Sequence, residues 1–392
     1  MMAFRTTTTR TTSFEPAPFA DKAIATHATF SFYDLVQAYY DCRRTKRNTK
    51  SAIAFEIHME RNLAALYDEL IAGTYQPGTS ICFAITHPKP REVWAAGFRD
   101  RIVHHLLYNH VAPRAEASFI ADSCACIPGR GTLYAAKRLE HKIRSITENW
   151  SKPAYYLKCD LANFFVSIPK KVLQRQLVGY ITDPWWSALA ETILFHDPRA
   201  DYLLRGNPEH LERVPAHKRL INQSSEFGLP IGNLSSQFFA NVFLNDLDQF
   251  AKHQLRAHHY IRYVDDFIFL HESPDWLNAA LARVTAFLPD RLGVQLNPTK
   301  TILQPVDRGV DFVGHVIKPW CRSTRRRTVN QAVQRVAAID AADLMPTANS
   351  FFGLFRQAHA SRVDCARLAR MILRRGSAVS FDLTKTYRGK NA

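Results

Sequence analysis

The sequence predicts an α+β fold: a core of mixed strands and helices followed by a basic helical appendage. Three observations carry this. Apolar residues at helical spacing dominate the first third of the chain. Strand-like segments separated by helices fill 153–317. After Trp320 the chain turns arginine-rich (CRSTRRRTVNQ) and then helical to its end.

Residues 1–29 are threonine-rich and are expected to form a disordered polar tail. From Ser31, SFYDLVQAYYDC puts Phe32, Leu35, Val36 and Tyr39 on one helical face, and a basic run, RRTKRNTK, follows at 43–50. Residues 51–73 read as a second helix through Phe55, Leu63, Leu66, Leu70 and Ile71, ended by Gly73. TYQPG at 74–78 is a turn, SICFAITH at 80–87 alternates like a strand, and PKPR at 88–91 is a stiff basic loop. DRIVHHLLYNHV lies on a helix over about 99–112. PAYYLKCD at 153–160 reads as a strand, and 169–180 as a helix. A polar, proline-dotted stretch fills 197–227. GLPIG at 228–232 is a turn, after which Asn233 is placed to cap a long helix. YIRYVDDFIFLH at 260–271 has two β-rich halves around an aspartate pair, as in a hairpin. An amphipathic helix at 275–290 precedes two strand-like segments, LGVQLNPTKTIL and VDFVGHVI.

Composition narrows the function. The 392 residues are 46% hydrophobic and 22% charged, which excludes a largely disordered chain. Lys and Arg number 51 against 35 Asp and Glu, a net charge of +16. Such an excess repels itself unless a polyanion offsets it, so nucleic acid is the leading partner class and a membrane surface the second. No apolar run reaches the roughly 20 residues that span a bilayer. The N-terminus lacks the apolar core of a secretory signal; bearing Arg and Thr and no acid before Glu15, it reads as a polar tail, with a transit peptide as the alternative. The seven cysteines are scattered without a CxxC pair, so a reduced, cytoplasmic protein without a zinc site is expected. The histidines at 104–105, 110, 253 and 258–259 have no ligand-like frame and read as structural or surface residues.

The chemistry concentrates in Tyr263-Val264-Asp265-Asp266. Two adjacent acids between apolar β-formers raise each other's pKa, and a bound cation would offset that repulsion. Magnesium suits such a site, since it takes one or two carboxylates with phosphate oxygens and water. A plain hairpin turn would also place aspartates there. Asp160 ends the 153–160 strand. If that strand pairs beside the hairpin, Asp160 meets Asp265, and three carboxylates can hold two metals for in-line phosphoryl displacement. As an alternative, Asp160 only caps a strand end.

These residues resemble the reverse transcriptase family. KCDLANFF with Asp160 is similar to that family's first catalytic motif, GLPIGNLSSQ at 228–237 to its second, and YVDD at 263–266 to its third. LNPTKT at 296–301 and FVGHVI at 312–317 resemble the two that follow. PKPR, FRDRIVHHLL at 98–107 and PGRGTLYAA at 128–136 resemble the fingers motifs. The likeness covers roughly 30–345. It implies a right-hand polymerase with fingers at 30–150, an RRM-like palm at 151–320 (197–227 joining the fingers or forming an insertion) and a helical basic thumb and C-terminal tail at 321–392. It implies RNA-directed DNA synthesis with dNTP substrates and two magnesium ions held by Asp160, Asp265 and Asp266.

The same resemblance assigns softer roles. Phe165, five residues after Asp160, packs under the incoming sugar in that family and excludes a 2′-hydroxyl. Lys89 and Arg91 are candidates to clamp the triphosphate, with a solvated basic loop as the alternative. Lys300 falls where the family has a lysine near the pyrophosphate, a candidate general acid. Gly314 resembles the primer-grip turn. The Arg322–Arg327 run matches a thumb that embraces a duplex. Where most members carry QGxxxSP, this chain has Ile231-Gly232 and then Ser236-Gln237. That form resembles bacterial enzymes of diversity-generating retroelements and defence-associated (unknown-group) enzymes. In the first group, loss of the glutamine is linked to misincorporation opposite adenine. The implied partners are a template RNA, a cognate noncoding RNA in either setting, a DNA primer or product, and an accessory protein or second reverse transcriptase. From the chain length, no ribonuclease H, integrase or long maturase domain is expected. A non-catalytic RNA-binding scaffold with the same fold is the alternative reading.

Overall fold

The computed structural model describes residues 29–387 apart from Thr45, Pro88 and Ala360. The tail expected at 1–29 therefore falls, but for Thr29, outside the described residues. The strands are β1 (Ser80–Ile85), β2 (Arg91–Ala95), β3 (Tyr155–Asp160), β4 (Tyr202–Leu204), β5 (Tyr260–Tyr263), β6 (Asp266–His271), β7 (Ile302–Pro305), β8 (Val310–Phe312), β9 (His315–Lys318) and β10 (Cys321–Thr324), with a two-residue pair near 378–387. The chain forms two compact units, and neither is one stretch of sequence.

The first unit runs to Ile120 and takes in Leu161–Phe250 and Val284–Leu296. Its first helix, Phe32–Arg43, opens with a reciprocal cap. The Asp34 amide donates to Ser31 Oγ, and the Asp34 carboxylate accepts from the Ser31 amide at 2.8 Å. The single helix expected over 51–73 is two, Lys50–Glu56 and Met59–Ile71, because His58 leaves the helical region at φ −129°. The helix expected to end near 112 runs on as Phe98–Ser118 through Pro113, where burial of Val111, Ala112 and Ala115 offsets the missing N–H. Strand β2 was not foreseen, since buried Val93, Trp94 and Ala95 give a short run with no alternation to read. It pairs antiparallel with β1, which pairs parallel with β4.

The second unit comprises Ala121–Asp160, Ala251–Arg283 and the chain from Asn297 on. Its main sheet is antiparallel, in the order β5-β6-β3-β7. Tyr156, Ile261, Ile268 and Leu270 of this sheet share a buried cluster with Leu139 and Ile143 of the helix Thr132–Ile146 and with Phe312 and Ile317 of a second sheet, β10-β9-β8. VDFVGHVI is therefore a hairpin rather than one strand, turning at Val313–Gly314 with φ of +45° and +89°. Of LGVQLNPTKTIL only its last residues enter β7; Pro298–Lys300 is a 3₁₀ turn. Three helices, Arg326–Ala338, Ala341–Phe355 and Ser361–Arg374, close around Phe352, Phe355, Leu368 and Ile372. The arginine run before them divides: Arg326 and Arg327 are exposed, whereas the first two are held internally. Arg322 is 5% exposed in β10 and ion-paired to Glu140 at 2.5 Å, and Arg325 pairs with Asp311.

Candidate active site

The register of the main sheet assembles the acids. Asp160, the last residue of β3, lies directly opposite Asp266, the first of β6. Tyr263 and Asp266 close the β5–β6 hairpin, so its turn is Val264–Asp265, with Val264 left-handed at φ +55°. Opposed residues on neighbouring antiparallel strands hold their Cβ atoms about 5 Å apart on one face. The structure thus brings Asp160 to Asp266, with Asp265 adjoining in the turn. The sequence led to the expectation that Asp160 meets Asp265; the register puts Asp266 directly opposite, and the Asp160 carboxylate also acts on Asp265.

Their electrostatics follow from crowding. Burial, reinforced by the Asp160 and Asp266 carboxylates, pushes the Asp265 carboxyl up to about 6, with Lys300 opposing. Asp266 is also raised, by burial first and by Asp160, against the pull of Lys158 and Lys300. Lys300 Nζ sits 2.5 Å from Asp160 Oδ1, beside the acids. Among the described residues, no three His, Cys, Asp or Glu side chains form a ready-made metal cage. The donors present are nevertheless hard carboxylate oxygens whose mutual repulsion a divalent cation would relieve, and magnesium draws much of its shell from phosphate and water.

Three residues around the acids were not singled out in the sequence. Asn297 donates its amide N–H to the Asp160 carbonyl at 2.7 Å and its Nδ2 to Asp160 Oδ1 at 3.4 Å. Lys158, two residues before Asp160 and so on the same face of β3, lies 3.9 Å from Asp266 Oδ2. Arg262 is 1% exposed, and donates from Nη1 to the Val264 carbonyl at 3.1 Å and from Nη2 to Ser123 Oγ at 2.8 Å, bracing the turn that carries Asp265. The alternation K-x-D in β3 signals the place of Lys158. The other two depend on contacts between segments far apart in sequence.

The remaining candidates lie in the first unit. Lys89 and Arg91 are exposed at the end of the β1–β2 hairpin, where Arg91 is opposite Ile85. Phe164 and Phe165 are on a one-turn helix, Phe164–Ser167, and not on a strand with alternating faces. Phe164 is buried and Phe165 half-buried, their ring centroids 5.3 Å apart. The GLPIG segment is stitched on both sides: the Leu229 amide donates to the Phe165 carbonyl at 2.7 Å, and the Trp94 amide to the Ile231 carbonyl at 2.7 Å. Gly232 is obligatory there. Its φ is +133°, and a Cβ would lie 2.8 Å from the Trp94 carbonyl oxygen. Asn233 precedes its helix as expected, but its Oδ1 accepts from the Ala96 amide at 2.9 Å instead of capping. Gln237 is exposed in the first turn of that helix. His104 is structural, as expected: it is buried, lies 3.3 Å from Ser235 Oγ, and is pushed down to about 3 by burial.

Comparison with known proteins adds a sequence family. The family model described as "Reverse transcriptase (RNA-dependent DNA polymerase)" matches residues 89–317, more than half of the chain. A curated relative, the putative COX1/OXI3 intron 2 protein of Saccharomyces cerevisiae, is 22% identical over 223 residues. The match covers 42% of this chain and 24% of that protein, so the chain spans about a quarter of that relative's length. Solved structures similar to this chain include apo telomerase from Candida tropicalis truncated from its C-terminal domain, at 13% identity and a TM-score of 0.46 over 62% of this chain and 53% of that one. Telomerase from Candida albicans in complex with the TWJ fragment of telomeric RNA matches at 12% identity and 0.44, over 76% and 54%.

Proposed function

We propose that this chain, which belongs to the reverse transcriptase (RNA-dependent DNA polymerase) family, copies a bound RNA template into DNA. The pairing of Asp160 with Asp266, with Asp265 in the adjoining turn, carries the reading. Its α+β fold is that of the right-hand polymerases, and the proposed division is fingers at 30–150, palm at 151–320 and thumb at 321–392. In this reading Asp160, Asp265 and Asp266 hold magnesium. When bound, the metal supplies activation of the primer 3′-hydroxyl and charge neutralisation at the departing pyrophosphate. Lys300, ion-paired with Asp160, is in this reading the general acid toward the leaving group. Phe165 excludes a 2′-hydroxyl from the nucleotide site, and Lys89 and Arg91 contact its triphosphate. Ile231, Gly232 and Gln237 shape the floor under the nascent pair.

The proposed setting is a bacterial cytoplasmic enzyme with a cognate noncoding RNA, either in a diversity-generating retroelement or in an antiphage defence system. The test is purification with co-bound nucleic acid, sequencing of that material, and addition of dNTPs with magnesium. Labelled DNA that copies a defined RNA is expected. Asp266→Ala should lower the rate at least about 100-fold, the scale of losing one electrostatic stabiliser of a transition state. Errors concentrated at template adenines point to diversification, and faithful or repetitive product to defence. No DNA, together with an Asp266→Ala variant that behaves as wild type in cells, would replace the enzyme with an RNA-binding scaffold.

A further inference from the structure

The two sheets of the second unit meet through a lysine. Lys158 is a half-buried strand residue, its side chain 15% exposed, opposite Ile268 and Ile302 in the main sheet. An ammonium there is costly without partners. Its short hydrogen bond does not go to a carboxylate. Lys158 Nζ donates to the backbone carbonyl of Asp311 at 3.0 Å, while Asp266 Oδ2 stands off at 3.9 Å. Asp311 lies in β8, the edge strand of the β10-β9-β8 sheet. In a two-residue hairpin closed by Phe312 and His315, the amide groups of Asp311 point away from β9. That carbonyl therefore needs a partner outside its own sheet, and Lys158 supplies it.

The other side of the same hairpin is also pinned. The Arg325 amide donates to the Gly314 carbonyl at 3.0 Å, and its guanidinium pairs with the Asp311 carboxylate. The Tyr263 ring, two residues before Asp265, meets the Phe312 ring edge-on with centroids 6.4 Å apart. The Val313–Gly314 turn is thus located from the acid-bearing face by Lys158 and Tyr263, and from the helical bundle by Arg325.

We propose that Lys158 is a positioning residue that sets the β8–β9 turn relative to Asp160 and Asp266, and so sets the primer 3′ end relative to the acids. This rests on the polymerase reading for the primer, but not for the strut itself. A lysine serving only to neutralise Asp266 would sit in direct contact with it, and one serving only stability would leave the turn's order unchanged when replaced by an isosteric apolar chain.

The experiment compares wild type, Lys158→Met and Lys158→Arg as full chains. Two readouts are taken: amide hydrogen exchange over 310–318 without substrates, and KM for primer–template and for dNTP separately. Lys158→Met, which keeps the stem and loses the donor, is expected to exchange at least tenfold faster at 310–318. It is also expected to raise KM for primer–template at least fivefold, with KM for dNTP within twofold. Lys158→Arg, still a donor, should recover part of both. Unchanged exchange in Lys158→Met overturns the proposal, as do equal losses for primer and dNTP. If Lys158→Met is globally unfolded by circular dichroism, Lys158→Arg and Lys158→Gln carry the same comparison. If wild type makes no DNA, the polymerase reading fails, and the strut is decided by exchange alone.

Discussion

At Asp265, burial and two neighbouring carboxylates oppose ionisation, and the consequence is a pH dependence of stability. The folded chain holds this proton up to about pH 6, against 3.8 for the ordinary carboxyl. Native protein therefore binds the proton more tightly than unfolded chain, so this group's contribution to stability is fully present below about pH 4 and is lost as pH rises through 6. A shift of about two units corresponds to about 3 kcal/mol. Metal-free Asp265→Asn is expected to melt above wild type at pH 8, with the gap narrowing by pH 5; a gap independent of pH in thermal scans would refute this. The site would then be one whose function is kept at the expense of stability. The acids themselves were legible in the sequence, because charged residues inside apolar β-runs stand out. Asn297 and Arg262 were not, because only long-range contacts give an asparagine and an arginine those neighbours; K-x-D places Lys158 on the face of Asp160, but its reach to Asp311 is not readable from it.

Among the elements, the GLPIG segment has a structural reason for its glycine that is independent of any role in the proposed nucleotide site. Its glycine at 232 is dictated by the close approach of the Trp94 carbonyl, whatever lies in the site. Gly232→Ala meets both a strained φ and a backbone atom that cannot move aside as a side chain would, so a loss of about 2–4 kcal/mol is expected. Denaturant unfolding measures it, and a midpoint within error of wild type would show that β2 and the segment separate easily. Strand β2 itself was hidden in the sequence. Buried on both faces, it shows no alternation, and its neighbour in register, β1, is needed to reveal it. The inward turn of Arg322 within the basic run after Trp320 was hidden for a related reason. Arg322 alternates inward in β10 and meets Glu140 of the helix Thr132–Ile146, a partner 182 residues away in sequence.

For the whole molecule, the +16 charge predicts strongly salt-dependent nucleic-acid binding. With Arg322 and Arg325 internally paired, the phosphate contacts must come from other cations. If about six are made, affinity for an RNA–DNA duplex should fall about 1,000-fold between 50 and 200 mM salt. Fluorescence anisotropy across that range checks the slope, and a flat response would mean that the charge serves another partner. No helix of the described residues is long and apolar enough to cross a membrane.

The sequence alone determined the fold class, the helices with clear apolar faces and the three aspartates, since composition, periodicity and acids set among apolar residues are local properties. The family likeness rested on motif order, which is equally a property of the linear chain. Only the tertiary structure decided that Asp160 pairs with Asp266, that Lys158 reaches across to β8, that Arg322 is buried, and that both compact units are assembled from separated segments. Each of these turns on register or on contacts between residues many positions apart, and a one-residue slip in β3 or β10 would turn Lys158 and Asp160, or Arg322, to the opposite face.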